Sequence, residues 1–353
     1  MTNLDDKALY NSLDKSGMGL QIYNLPEQCR GAWEKALQFS LPAAYQRVNK
    51  IVILGMGGSA IGGDLIRAIA SSGKLLVIVH RDYDLPTYVD EDTLVIASSY
   101  SGDTEETLSG FIQALSTPCK KLVISTDGKL TSIAQQSSVP IFIIEHVSPP
   151  RAALGYSLLP LLAIMQNLGL VSSKSAEVDN MIRTLKRLRE LWKEDVLTEN
   201  NPAKKLALKL YGKITVIYGA GILSDAARRW KTQINENSKA WAFFETFPEL
   251  NHNAVTGYRH PAGAPDNIFV VMLRCPSLHP RILTRYKATA ELLEHSNIPY
   301  QILDSNGTNP LKHIMSLIYL GDWVSYYLSM LNNVDPTSVP EIELLKKRLS
   351  QEK

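Results

Sequence analysis

Two short segments of this 353-residue chain combine glycines and hydroxyl side chains in a way that suits phosphate binding. The first, Gly55-Met56-Gly57-Gly58-Ser59-Ala60, follows an apolar run and precedes an amphipathic stretch. Glycines let the backbone approach a ligand closely, and N–H groups at the start of a helix point at an anion. Ser59 would add a hydroxyl donor, although capping its own helix is the more frequent role of a serine at such a position.

The second segment, residues 98–107, is crowded with hydroxyl groups and also opens a helical stretch. Several short donors at a helix N-terminus match the acceptor oxygens of a phosphate. An ordinary capping box around Ser101, Thr104 and Glu105 is the simpler interpretation. A dinucleotide-binding fold has no need of such a cluster at this strand end, so the two segments together favour a monophosphate ligand.

The first glycine turn also fits the pattern GxGxx(G/A) of dinucleotide-binding proteins. That fingerprint requires an acidic residue about 20 positions further on, and His80-Arg81-Asp82 lies near that place. An NAD(P)-dependent oxidoreductase is therefore an alternative function.

Short apolar runs alternate with amphipathic stretches in the first part of the chain, which predicts a parallel sheet covered by helices on both faces. The predicted strands are residues 51–54, 75–79, 94–97, 121–124 and 141–144. The predicted helices include residues 60–70, 105–115 and 130–136.

The same pattern restarts at residue 214, with further strands and helices. The run Ile51-Val52-Ile53-Leu54-Gly55-Met56-Gly57 can be laid beside Thr215-Val216-Ile217-Tyr218-Gly219-Ala220-Gly221 as a weak internal duplication. Two unrelated units that share the commonest strand-turn-helix order would give the same pattern. We predict an α/β protein with two doubly wound parallel sheets in tandem. The predicted strands of the second unit are 214–218, 268–273 and 301–303, and its helices extend to about residue 234 and over 280–295 and 310–331.

A charged, helix-prone segment at residues 176–197 follows Pro149-Pro150 and is typical of a connector between domains. We predict an N-terminal domain over residues 1–150 and a helical connector over residues 151–200. The C-terminal domain is predicted over residues 201–353 and ends in a helix.

Composition excludes several classes of function. Lysine and arginine number 37 against 35 aspartates and glutamates, a net charge of +2, which argues against a strong general attraction to nucleic acid or an anionic membrane. The scattered cysteines, Cys29, Cys119 and Cys275, support neither a disulfide framework nor a cysteine-based zinc site.

The acidic start without an apolar signal region and the lack of an apolar run near 20 residues predict a cytoplasmic protein. The histidines form neither HxH nor HExxH, so we predict no metal site.

The two hydroxyl-rich segments resemble the phosphate loops of the sugar isomerase (SIS) domain, a G-G-S loop and an S-x-S-G-x-T-x-E-T loop. Asp103 stands where that motif often has asparagine. Further segments extend the resemblance from about residue 20 to the end of the chain, and together they are similar to the short bifunctional phosphoglucose/phosphomannose isomerases of archaea and some bacteria. These segments are Asn235-Glu236-Asn237-Ser238-Lys239, Pro248-Glu249-Leu250-Asn251-His252-Asn253, Pro150-Arg151-Ala152-Ala153-Leu154-Gly155 and the C-terminal residues 342–349.

The resemblance implies roles for individual residues. Glu236 would be the base that moves a proton between C1 and C2, His252 would open the sugar ring, and Arg151 would stabilise the enediolate. Lys346 would assist His252 at the ring oxygen, although the adjacent Lys347 is an alternative that the sequence does not separate from it. In the related enzymes the histidine enters the site from a neighbouring subunit, so a homodimer is expected.

The resemblance also implies what binds and what reacts. Thr337 would leave room for the mannose epimer, and the phosphate would be bound by Gly58, Ser59, Ser99, Ser101 and Thr104. The expected reaction interconverts glucose 6-phosphate and mannose 6-phosphate with fructose 6-phosphate through a cis-enediol, without a cofactor, nucleic acid or membrane. A non-enzymatic sugar-phosphate sensor on the same fold is an alternative. An aminosugar synthase is disfavoured, because Thr2 stands where its glutaminase domain needs an N-terminal cysteine.

Overall fold

The structure is a computed structural model that describes residues 2–70, 75–305 and 307–351. Its strands form two separate, wholly parallel sheets. The strands of the first sheet are β1 (Lys50–Leu54), β2 (Leu76–His80), β3 (Thr93–Ser98), β4 (Lys120–Ser125) and β5 (Ile141–Ile143). Those of the second sheet are β6 (Ile214–Ala220), β7 (Ala242–Phe247), β8 (Ile268–Arg274) and β9 (Tyr300–Asp304).

Helices occupy most of the remaining chain. Three of them, α1 (Lys7–Leu13), α2 (Met18–Tyr23) and α3 (Leu25–Leu37), precede the first sheet. The helices between the strands of the first sheet and up to the second are α4 (Gly57–Ala70), α5 (Glu105–Leu115), α6 (Lys129–Gln136), α7 (Leu154–Asn167), α8 (Ser175–Trp192) and α9 (Pro202–Leu210). The remainder are α10 (Ser224–Ser238), α11 (Ala264–Asn267), α12 (Pro280–His295), α13 (Pro310–Leu331) and α14 (Pro340–Leu349).

The predicted α/β class is confirmed, and the strand order explains how the two phosphate loops meet. The first sheet has the order β2-β1-β3-β4-β5, so β1 and β3 are direct neighbours. All six residues of β3 are buried, as expected for a central strand covered on both faces. Because both strands run in the same direction, the turn after β1 and the turn after β3 lie at the same edge of the sheet. Ligands of open α/β sheets bind at this carboxyl edge.

Several elements of the fold were missed by the sequence prediction. Strand β7 is an edge strand in the order β7-β6-β8-β9, and its two exposed residues alternate with buried or partly buried ones. It therefore lacks the continuous apolar run by which the buried strands were recognised. Helices α1, α2, α3, α9 and α11 were also missed, and α3 packs against α7.

The predicted domain boundaries remain a prediction. Helix α7 falls in the predicted connector, yet it packs against α3 and α4 of the first unit. Helix α13 packs against α8, α9 and α10 and is buried along nearly its whole length. Within the described residues, no helix combines the length and the apolar character that crossing a membrane requires.

Candidate active site

The two phosphate-loop segments are tied to each other by their hydroxyl groups. Ser59 lies in the first turn of α4, and its Oγ accepts a hydrogen bond of 3.0 Å from the backbone N–H of Tyr100 in the neighbouring loop. The hydroxyls of Ser98 and Ser157 both donate to the carbonyl of Ser59. Ser59 therefore joins the two loops rather than capping its own helix.

The hydroxyls of the second loop are organised by their own backbone. Ser99 Oγ lies 2.9 Å from Thr104 Oγ1 and accepts a bond of 3.1 Å from Gly102 N–H. Ser101 Oγ accepts from Asp103 N–H at 3.3 Å. Thr104 is the N-cap of α5, but its side chain makes no capping hydrogen bond. The capping-box interpretation is therefore wrong here, and Thr104 Oγ1 instead contacts Ser99.

Gly58 brings the first loop, residues 55–60, close to the segment that carries Arg151. A Cβ added at Gly58 would lie 2.7 Å from the carbonyl oxygen of Pro150, inside contact distance. A side chain at this position would therefore push the two segments apart, which explains the need for glycine. The short 3-10 helix Pro150–Ala152 that follows places Arg151 beside the loop.

Arg151 is the most heavily bonded of the predicted catalytic residues. It is only 5% exposed, and its Nε donates to Asn237 Oδ1 at 2.7 Å. One terminal nitrogen donates to the carbonyls of Pro336 and Thr337, both at 2.7 Å, and the other lies 3.4 Å from Glu236 Oε2. Burial lowers the pKa of Arg151, while the nearby carboxylate of Glu236 acts in the opposite direction.

Glu236 lies in the last turn of α10, with Oε2 of its carboxylate 3.4 Å from Arg151. Its side chain is 28% exposed, so it is accessible to a ligand. The neighbouring Asn237 is buried, and its amide binds both Arg151 and Ser325. Such fixed partners hold the end of α10 in one orientation, as a catalytic carboxylate requires.

A cavity of about 230 Å³ connects these elements. Gly57 and Gly58 line it on one side, and Arg151 and Glu236 line it on the other. Glu236 is the single carboxylate among its described lining residues, whereas five side chains are cationic. Three of these cations are paired with Asp64, Asp225 and Asp322, which lie outside the lining, so a smaller excess of positive charge is left for an anionic ligand. The cations are Arg81, Arg151, Arg228, Arg229 and Lys231. The hydroxyl-bearing residues proposed for the phosphate are not among the described lining residues of this cavity.

Other predicted site residues lie apart from Glu236. His252 ends a 3-10 helix after β7 and is exposed, and Lys346 is exposed on α14. Neither lines the cavity beside Glu236 within the part of the chain that the structure describes. Thr337 is close to the site through its backbone, since its carbonyl binds Arg151, and its buried Oγ1 has no hydrogen-bond partner among the described residues.

The sequence prediction missed a buried ion pair beneath the site. Asp322 of α13 accepts two bonds of 3.0 Å from Arg229, which also donates to the backbone carbonyl of Arg151, and a third from Gln233. A single carboxylate within an otherwise largely apolar 22-residue helix is the signal that could have revealed the pair, because buried charges need partners.

Within the described residues, no three histidine, cysteine, aspartate or glutamate side chains cluster as a metal site would require. The predicted absence of a cofactor remains a prediction.

Comparison with known proteins places both sheets in one domain family. Residues 44–167 match the SIS domain, and residues 199–349 match the bacterial phospho-glucose isomerase C-terminal SIS domain. A bifunctional phosphoglucose/phosphomannose isomerase of Caldicellulosiruptor bescii is 43% identical over 332 residues, which is 94% of this chain and 98% of that protein. A protein of the same name from Aquifex aeolicus is 34% identical, over 85% of this chain and 90% of that protein.

A solved structure shares the fold. The crystal structure of a hypothetical protein of Thermus thermophilus matches with a TM-score of 0.74 at 20% sequence identity, covering 98% of this chain and 92% of that chain. The two SIS matches confirm the predicted tandem of related units.

Proposed function

Because this chain belongs to the family of bifunctional phosphoglucose/phosphomannose isomerases, we propose that it interconverts glucose 6-phosphate with fructose 6-phosphate, and mannose 6-phosphate with fructose 6-phosphate. The observation that supports this most directly is the Arg151–Glu236 pair. Its 3.4 Å contact lies in a cation-lined cavity that extends to the glycine loop. A buried cation beside an accessible carboxylate is what proton transfer next to a developing oxyanion needs.

The proposed reaction starts with the phosphate bound at the two hydroxyl-rich loops, by Gly58, Ser59, Ser99, Ser101 and Thr104. Glu236 then removes the proton from C2 of the open-chain aldose, and the electron pair of the C–H bond forms the C1–C2 double bond of a cis-enediolate. Arg151 stabilises the negative charge that develops on the oxygen atoms of the enediolate. A proton then moves from the C2 oxygen to the C1 oxygen, which shifts the negative charge to the C2 oxygen. Glu236 returns its proton to C1, the electron pair of the C1–C2 double bond forms the new C1–H bond, and C2 becomes the carbonyl carbon of the ketose with no net change in oxidation state.

Mannose 6-phosphate differs from glucose 6-phosphate only in its configuration at C2. Acting on both therefore requires that the enediolate be protonated from either face after a bond rotation. Thr337 is the proposed residue that leaves room for this rotation. Its backbone is fixed by Arg151 and by a bond of 2.8 Å from its own N–H to Asp335 Oδ1.

Ring opening is assigned to His252 of a second copy of the chain, with Lys346 as its partner at the ring oxygen. Helix α10 runs back along the sheet and ends near the start of β7, whereas His252 follows the end of β7. The six residues of β7 extend roughly 17 Å, so His252 and Glu236 of one chain lie at opposite ends of the strands of this sheet. Exposed aromatic groups beside Glu236 support a homodimer, since Trp241 is 75% exposed and Phe243 is 50% exposed.

The proposed compartment is the cytoplasm. All three cysteines are free and buried, which is consistent with a reducing environment.

The function is tested by parallel isomerase assays with glucose 6-phosphate and mannose 6-phosphate, each in the presence of a chelator. We expect the wild type to convert both sugars and Glu236→Gln to lose kcat by about 10³-fold, because the amide cannot accept the proton. Glu291→Gln, at an exposed position on α12, is the matched control and should keep wild-type turnover. Near-normal activity of Glu236→Gln would refute its role as the base.

The origin of the histidine is tested by mixing two inactive variants, Glu236→Gln and His252→Ala. If His252 acts across a dimer interface, each mixed dimer regains one intact site, and random mixing restores about a quarter of the wild-type activity. If the two residues act within one chain, mixing restores nothing.

A further inference from the structure

Lys239 follows directly on α10 and holds a backbone conformation that is usually occupied by glycine. Its φ of 51° and ψ of 34° are left-handed, and its N–H closes the helix by donating to Ile234 O. A residue with a side chain is less stable than glycine in this conformation, because its Cβ lies too close to the backbone. Lysine at such a position carries a conformational cost that its side-chain contacts must offset.

The side chain of Lys239 folds back onto the C-terminal end of α10, the helix that carries Glu236. Although the residue as a whole is exposed, its Nζ donates to the carbonyls of Glu236 at 2.7 Å and Asn237 at 3.4 Å. A third bond of 2.7 Å joins Nζ to the carbonyl of Asp335 in the turn before α14. The last carbonyls of a helix lack partners within the helix, and a cation is favourable there.

Arg151 holds the same turn from the other side. Its guanidinium binds the carbonyls of Pro336 and Thr337 and the side chains of Glu236 and Asn237. The contacts therefore form a closed ring, which runs from Glu236 to Arg151, to the turn at residues 335–337, to Lys239 and back to the backbone of Glu236.

We propose that Lys239 is a positioning residue for the isomerisation, which fixes residues 335–337 against the end of α10 and thereby sets the orientation of Glu236 and Thr337. This inference rests on the proposed function. Lys239 does not act on the reacting atoms themselves, because its Nζ is occupied by three backbone carbonyls.

The charged groups around Lys239 come from each element packed against it. They are Arg151 beside the glycine loop, Glu236 on α10, Asp335 in the turn and Glu341 on α14. Burial of the amine, followed by the positive charge of Arg151, lowers the pKa of Lys239 to about 8, and the three carboxylates only partly oppose this. A neutral amine keeps two N–H donors for three carbonyls, so in mildly alkaline solution the ring loses one of its positioning contacts, even though the folded chain no longer carries the desolvation cost of the charge.

Three variants of the full-length chain test the inference, with Lys287→Met at an exposed position on α12 as the control. Lys239→Met should lower kcat for both sugars by about 10- to 100-fold with KM changed less than about threefold, because a small misplacement of the base slows proton transfer. Lys239→Gly should lose as much kcat while unfolding at a higher temperature than Lys239→Met, since glycine relieves the left-handed backbone. A loss of kcat without a matching loss of stability distinguishes a positioning role of Lys239 from a purely structural one.

Lys239→Arg should retain part of kcat and move the alkaline limb of the kcat/KM profile to higher pH, because arginine does not titrate there. The inference is overturned if Lys239→Met keeps more than half of the wild-type kcat, or if the alkaline limb of Lys239→Arg coincides with that of the wild type. If either result is obtained while the wild type is active, the role of Lys239 is refuted but the proposed function of the protein is not. A wild type inactive on both sugars would overturn the proposed function itself.

Discussion

The buried pair of Arg229 and Asp322 offers the sharpest test of how the site is supported. Asp322 is 4% exposed and Arg229 is 3% exposed, and their contacts at 3.0 Å include both carboxylate oxygens. In Asp322→Asn, one oxygen becomes an NH₂ group that faces donors of Arg229 or Gln233. The guanidinium of Arg229 would then be buried without a counter-charge.

Breaking a buried pair from one side costs about 3–5 kcal/mol. We expect the lower end, about 3 kcal/mol, because Gln233 can turn its amide over. Its Oε1 is buried and has no partner among the described residues, so this oxygen is available to the new NH₂ group. With an unfolding entropy of about 2.1 cal/mol/K per residue over 353 residues, this corresponds to a decrease in Tm of about 4 °C if the chain unfolds as one unit.

The assay is urea unfolding followed by circular dichroism, together with Tm from calorimetry. Asp92→Asn, at an exposed position before β3, is the matched control and should change the free energy of unfolding by less than about 0.5 kcal/mol. In a double-mutant cycle, Arg229→Met combined with Asp322→Leu should be more stable than the two single effects predict, because neither charge is left alone. A loss below about 1 kcal/mol for Asp322→Asn, or additive effects in the cycle, would refute the reasoning.

Two further predictions concern the loops and the pH dependence. Gly102→Ala should lower the free energy of unfolding by more than about 2 kcal/mol and weaken sugar-phosphate binding, because φ of Gly102 is 74° and the new Cβ would meet Asp127 O. Gly169→Ala is the control for backbone strain alone, since Gly169 has a φ of 73° but open space around the added Cβ. Equal losses of the two variants in urea unfolding would contradict this. Because the pKa of Lys239 is about 8 in the folded chain and 10.5 is its ordinary value, the unfolded chain binds more protons between those pH values, and this group's contribution to stability increases as pH rises. The Tm of the wild type relative to Lys239→Met should therefore increase from about pH 8 to about pH 10, and a constant difference would argue against the lowered pKa.

The sequence predicted the elements whose signals are local. The buried strands of both sheets carry continuous apolar runs, and the helices at 105–115, 280–295 and 310–331 agree with α5, α12 and α13 to the residue. Strand β7 escaped because an edge strand with one exposed face has no such run. The pairing of Asp322 with Arg229 escaped because the two residues lie 93 positions apart in the chain.

The resemblance to the SIS isomerases supplied the choice of Glu236 and Arg151, whereas the sequence by itself determined the two glycine- and hydroxyl-rich turns and the α/β class. These follow from residue types within a few positions of each other, where backbone geometry leaves few alternatives. Only the tertiary structure decided that Arg151 and Glu236 touch, and that Lys239 and Arg151 hold the turn at residues 335–337 between them. Such contacts join residues 85 to 186 positions apart, and they depend on how the helices pack against the sheets rather than on any local pattern.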